Sequence, residues 1–251
     1  LTGRRGLAAA LIALFSLAAQ AYLPPASAIL LRVAQRRSDV ASRSYQVRGT
    51  ATFAGDAARR AAASAGLSLQ GQELSAPALL LVKSPGQCRL ELSPPGERLA
   101  VSQRGGAISG RRGLDGVVEA RALVAAACTL LTRSGSAVES ERHLARALAA
   151  RGVSLSEVSF GHVDGGVAWV IGGKPRDARP EVWIDKLSFQ PVRLVAPEPG
   201  GPIDVRLLGF GAPPGGEGFP RTIEVWRGEE LALRFVAGKV KPGARIPDSA
   251  F

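Results

Sequence analysis

Metal-binding and nucleophilic side chains are scarce in this sequence, which holds only two cysteines and two histidines. Cys88 and Cys128 form no C-x-x-C pair, and with His143 and His162 they do not fall at metal-ligand spacing. No metal or cofactor is expected. The G-x-S-x-G elbow and the G-x-x-x-x-G-K-[ST] loop are both missing, and nothing orders either histidine toward a nucleophile. The expectation is therefore a protein that is not an enzyme and has no catalytic residue. Heptads, sustained repeats and an obvious inter-domain linker are absent too. With 30 glycines and 17 prolines, an all-helical fold is disfavoured, because both residues break helices and mark turns.

Acidic residues are outnumbered, 21 against 32 lysines and arginines, for a formal charge of +11. The arginines are scattered, so a solvated basic surface is preferred over a nucleic-acid or anionic-membrane footprint. At 251 residues the chain can bury a sizeable core, on the order of 70% of its unfolded surface.

The first residues read as an export signal. Arg4 and Arg5 precede an apolar run from Leu7 to Leu17, and Ala19-Gln20-Ala21 fits small-x-small cleavage, with Ala26-Ser27-Ala28 as a second pattern. Cleavage after Ala21 or Ala28 is expected, leaving a single domain over 22–251. The run is short for a membrane span, which needs about 20 apolar residues, although retention as an anchor is the alternative. No cysteine lies near the cleavage patterns, so the chain is not itself a lipoprotein of the usual kind. Export implies the periplasm, disfavours nucleic acid as partner, and makes a Cys88–Cys128 disulfide chemically open, with two buried thiols as the alternative.

Beyond Pro25, residues 27–40 read as a helix with Ile29, Leu30, Val33, Ala34 and Val40 on one side and Arg32, Arg36 and Arg37 on the other. Residues 44–54 alternate strictly, Tyr45, Val47, Gly49, Ala51 and Phe53 sharing one face of a strand. Residues 55–75, rich in Ala, Gly and Ser, read as a long connection with one helical turn. Short strands follow at 79–83, 88–92 and 98–103, parted by Pro85-Gly86 and Pro94-Pro95-Gly96. Two helices are expected at 115–131 and 136–151, the second opening on the capping box Ser136-x-x-Glu139. Strands resume at 153–160, 166–171, 181–187, 192–195, 203–210, 221–227 and 230–236. One curled sheet whose concave side is covered by helices accounts for this order.

Two segments resemble the periplasmic lipoprotein carrier superfamily, the LolA/LolB-like proteins. One is Leu80-Leu-Val-Lys83-Ser-Pro85-Gly86-Gln-Cys88-Arg89-Leu-Glu-Leu92; the other runs from Val182-Trp183-Ile184-Asp185 through Pro191-Val192-Arg193-Leu194 to Phe219-Pro220-Arg221 and Ile246-Pro247-Asp248. The resemblance implies an α+β, mostly β fold: an incomplete antiparallel β-barrel with helices on its concave side, holding acyl chains in the hollow. It implies a carrier of lipid or lipoprotein acyl chains working with inner- or outer-membrane transport partners, or else an envelope sensor of the same fold. Ser84 stands where such carriers commonly have an arginine that holds the lid shut, Cys88 where an aromatic is usual, and residues 105–113 lack an expected aromatic. Lid contacts then fall to Lys83 and Arg89.

A hydrophobic carrier needs apolar side chains facing a hollow, at roughly 25 cal/mol per Å² buried. The stripes that qualify are Tyr45, Val47 and Phe53; Leu90 and Leu92; Leu99 and Val101; Val167, Trp169 and Ile171; Val205 and Leu207; Ile223 and Val225; Leu233 and Phe235. The alternative for each is ordinary core packing against the helices. Trp183 and Trp226 are out of phase with their apolar neighbours and are expected on the outer face. The protein is expected to be a monomer.

Overall fold

The computed structural model describes residues 23–69, 71–111, 114–175, 177, 179–198 and 200–251. The expected export signal, 1–21, lies outside the described residues. The second cleavage pattern, Ala26-Ser27-Ala28, opens the first described helix.

Twelve strands and four α-helices make one α+β unit among the described residues. In chain order they are α1 (Ala26–Val40), β1 (Ser44–Ala54), α2 (Gly55–Ser64), β2 (Glu73–Lys83), β3 (Gln87–Leu92), β4 (Leu99–Arg104), β5 (Ala107–Arg111), α3 (Val118–Leu130) and α4 (Ala137–Ala149). The second half is all strand: β6 (Val158–Val163), β7 (Gly166–Ile171), β8 (Glu181–Asp185), β9 (Pro191–Ala196), β10 (Ile203–Leu208), β11 (Thr222–Arg227) and β12 (Glu230–Pro242). The sheet order is β5-β4-β3-β2-β1-β12-β11-β10-β9-β8-β7-β6, with every pairing antiparallel. Each half is a meander, and the two are joined side by side through β1 and β12. Strands β5 and β6 are the outer edges, and the chain passes from one to the other through α3 and α4. The barrel is incomplete at that gap, as the sequence leads one to expect.

The β1–β12 seam is the longest pairing with β12, running from Tyr45↔Pro242 to Phe53↔Leu233. A bulge between Arg48 and Gly49 bends it. A Cβ on Gly49 would lie 2.1 Å from the Val236 carbonyl oxygen, so only glycine admits so close a crossing.

Several expectations need correcting, among them the strand expected at 153–160, which runs over Val158–Val163. The stretch 55–75 holds more than a connection with one helical turn: it contains the ten-residue helix α2 and the first residues of β2. Ala57, Ala58, Ala61 and Ala62 supply α2 with a buried small-residue face. Strand β2 begins six residues earlier than expected and tolerates Pro77 because that residue lies beyond the last β2–β3 pair, Ala78↔Leu92. Residues 107–111 form an edge strand, and β12 runs to Pro242 because β1 pairs with it from Leu233 to that residue.

The helices stand in two layers. Helix α3 lies inside, touching β3, β4, β10, β11 and β12; α4 packs on α3, and α1 packs on α4. Helix α2 closes one end against β1, β2 and β12. On the outer face Trp183 sits with Ala168 and Val170 in a cluster apart from the main core. Arg193 stacks 4.7 Å above Trp183, and Arg206 stacks 4.6 Å above Trp226.

Candidate functional site: a hollow filled by one helix

Alternation along the strands turns every expected wall residue of the stripes except Val167 inward, into a single hydrophobic core. Tyr45, Val47, Phe53, Leu90, Leu92, Leu99, Val101, Ile171, Val205, Leu207, Ile223, Val225, Leu233 and Phe235 are all buried, and Trp169 is 8% exposed. The wall meets solvent near the β6 edge. There Phe160, 37% exposed, lies 4.6 Å from the Trp169 ring, and the Lys186 ammonium caps both rings at 5.0 and 5.4 Å.

What fills the hollow is α3. Its sequence, Val-Glu-Ala-Arg-Ala-Leu-Val-Ala-Ala-Ala-Cys-Thr-Leu, is buried on nearly all sides rather than on the one face expected. Alanine explains this: five small side chains let a helix thread between curved strands where a leucine-rich helix would not fit. Both ends of α3 are pinned by polar groups. Near its N-terminus the Glu119 carboxylate, itself 0% exposed, accepts from Arg60 of α2 and Arg227 of β11 at 2.7 Å each, both on Oε1. At the C-terminus Arg37 donates to the Leu131 carbonyl at 2.6 Å, and Arg151 donates to Thr129 Oγ1 and the Ala125 carbonyl. Cations at a helix C-terminus complement its dipole. Burial pushes the Arg37 guanidinium down to about 10, and burial also lowers Arg151. Arg37 was expected on the wet face of α1; it is buried there because the carbonyls ending α3 need a donor.

Cys88 on β3 and Cys128 on α3 are both buried free thiols and neighbours. Burial pushes the Cys88 thiol well up, and its neighbour Cys128 adds to the effect. They join the sheet to the filling helix at its middle.

The residues expected to hold a lid lie elsewhere. Lys83 donates to the Ile246 carbonyl at 2.8 Å and to Asp248 at 2.6 Å, fastening the C-terminal segment. Arg89 runs along the outer face to Glu91 and Ser102. The sheet-to-helix tie is made by Ser84, whose Oγ accepts from the Arg133 N–H at 2.9 Å in the turn between α3 and α4. Sequence reasoning missed Ser84, Glu119 and Arg37 as fasteners. Glu119 carried a signal as the one acid of α3, whose only other charge is Arg121, and Arg37 as the arginine at helical spacing from Leu30, Val33 and Ala34. His143 lies beside Gly86, and His162 lines a groove on the outer face. Among the described residues no three His, Cys, Asp or Glu side chains gather as a metal site. Among them, too, no helix is long and apolar enough to cross a membrane.

No family model matches the chain. No curated protein matches it either. Among solved structures it is similar to a LolA superfamily protein from Nitrosomonas europaea, at 15% identity and TM-score 0.47, covering 91% of this chain and 98% of that one. It is similar to an outer membrane lipoprotein-sorting protein domain from Vibrio parahaemolyticus, at 8% identity and TM-score 0.37, covering 87% and 94%. A DUF1329 family protein from Desulfovibrio piger matches at 11% identity and TM-score 0.38, covering 91% and 98%. Likenesses at this level carry no functional weight, which rests on the geometry of this chain.

Proposed function

We propose that this protein is a non-enzymatic periplasmic carrier that holds an acyl chain of a lipid or lipoprotein inside its curved sheet, in the space α3 occupies here. One observation supports the reading above others. The inner wall is apolar but for Gln103 opposite Cys88, yet its filling is a separate helix fastened mainly at its ends, so α3 can leave without breaking a strand ladder. Cargo would replace the contacts that α3 gives up. The filled hollow equally favours a second reading, an envelope sensor or regulatory module whose ligand is a protein and whose hollow stays shut.

Two measurements separate the readings. Native mass spectrometry of protein isolated from a periplasmic extract is expected to show bound lipid, and delipidated protein is expected to bind a fluorescent fatty acid saturably. Absence of both signals, with a protein partner captured by crosslinking, sinks the carrier and leaves the sensor.

A further inference from the structure

A cleft of about 960 Å³ opens where α3 enters the hollow, between α2, the start of α3 and the β11–β12 turn. Its charged lining is Asp56, Arg59, Arg60, Glu119, Arg227 and Glu230, three cations against three anions. Ala57 and Ala232, both part of the apolar core, form its floor. Such a balance attracts neither a simple anion nor a simple cation, but it suits a molecule carrying both charges.

The ion pairs are lopsided. Arg60 and Arg227 both donate to Glu119 Oε1, while Oε2 of the same fully buried carboxylate has no hydrogen-bond partner among the described residues. Arg60 Nε is likewise buried without an acceptor. An unmet acceptor and an unmet donor thus belong to one ion pair beside the cleft, both covered until the two-fifths exposed Arg60 side chain shifts. Leaving a buried charged oxygen unpaired is costly, so the pair is built to receive a group that supplies an N–H and accepts one.

We propose that this cleft binds a zwitterionic phosphoethanolamine head, with the primary ammonium donating to Glu119 Oε2 and a phosphate oxygen accepting from Arg60 Nε. The identity of the cargo's head rests on the carrier reading, in which the attached chains enter the space that α3 gives up beyond its first turn while Glu119 stays at the cleft. The head site itself does not depend on it. A quaternary choline head has no N–H to give Oε2, and glycerol 3-phosphate brings an anion without the ammonium. Both are therefore poor ligands.

The test uses the full chain and titrates it, by calorimetry or by backbone amide shifts, with sn-glycero-3-phosphoethanolamine, its choline analogue and glycerol 3-phosphate. The ethanolamine compound is expected to bind at least tenfold tighter than the other two. Arg60→Gln and Glu119→Gln are each expected to weaken it at least tenfold. Arg60 is two-fifths exposed, so its variant keeps the test valid should the buried Glu119 variant melt. Dihexanoyl phosphatidylethanolamine distinguishes a lipid from a free metabolite: tighter binding than the bare head by tenfold or more identifies the lipid. Equal binding of all three heads, preference for glycerol 3-phosphate, or no binding, in which case Oε2 holds a structural water, overturns the site. Head binding without fatty-acid binding sinks the carrier alone. Fatty-acid binding without head binding sinks this inference alone.

Discussion

Tying α3 to the sheet asks directly whether that helix must move for the hollow to open. Cys88 and Cys128 are neighbours, one on β3 and one on α3, and both are free. Oxidising them would close a loop of about 40 residues, worth roughly 4 kcal/mol in the chain-entropy account. For a domain of this size that is a rise in Tm of about 8–16 °C. The raised Cys88 pKa leaves little thiolate, so the bond is best formed by refolding in a glutathione buffer, where oxidised glutathione takes up the two electrons and becomes two thiols. Bond formation is followed by thiol titration, Tm by circular dichroism, and hollow access by a fluorescent fatty acid. The expected outcome is a higher Tm with probe binding abolished, both reversed by reductant and both absent in Cys88→Ser. A fully formed bond that leaves probe binding unchanged refutes the idea that α3 is what gives way.

Three further outcomes follow from single contacts. Gly49→Ala pushes a methyl into the Val236 carbonyl at the β1–β12 seam and is expected to cost roughly 1–3 kcal/mol, read as a lower denaturation midpoint with an unchanged m-value. Ser136→Ala removes the side chain that caps α4 and accepts from the Glu139 N–H; a loss of about 1 kcal/mol is expected, and no change in Tm would contradict the cap. The Lys83 ammonium, through its hydrogen bond and charge, holds the Asp248 carboxyl below the usual carboxylate range. A depressed carboxylate stabilises above its unfolded pKa, about 3.9, and loses that contribution as pH falls through the lower folded value. Lys83→Met should therefore loosen the C-terminal segment at pH 6, in hydrogen exchange, and differ progressively less from wild type as pH drops below about 4. A difference independent of pH would show that the ion pair contributes nothing.

Much of the architecture was legible because strand alternation is a local signal. Tyr45 to Phe53 announce β1 and its inward face, and the capping box at Ser136 announces α4, as the observed bonds between Ser136 and Glu139 attest. Helix α2 was not legible because its core face is alanine, whose weak hydrophobicity hid the spacing of Ala57, Ala58, Ala61 and Ala62 among Gly and Ser. Arg37 shows the deeper limit. Spacing of three, four and seven from Ala34, Val33 and Leu30 sets it squarely on the apolar side of α1, but its partner is a carbonyl 94 residues away that no local pattern names. Glu119 poses the same problem, since Arg60 reaches it from α2 and Arg227 from β11, 59 and 108 residues away.

The energetics of exchange bear on whether such a plug and a cargo could trade places. Withdrawing α3 would expose Leu123, Val124 and Leu130, at about 1.5–3 kcal/mol each, together with Ala120, Ala125, Ala126 and Ala127, so the apolar loss is on the order of 10 kcal/mol. An acyl chain of palmitoyl length gains about 0.8 kcal/mol per buried CH₂, or roughly 12 kcal/mol in all. The two terms nearly cancel, and a near-neutral exchange is what loading and release both require: a chain gripped far more strongly than the plug could not be handed on. The polar fasteners then decide the direction. With α3 and cargo evenly matched, the ion pairs of Glu119 and the Arg37 bond to Leu131 tip the empty protein shut, and whatever engages Arg60 and Glu119 from outside tips it open. Glutamine at position 119 should accordingly speed fatty-acid uptake in stopped-flow mixing while lowering Tm; a slower uptake would mean that the carboxylate shapes the hollow and does not latch it.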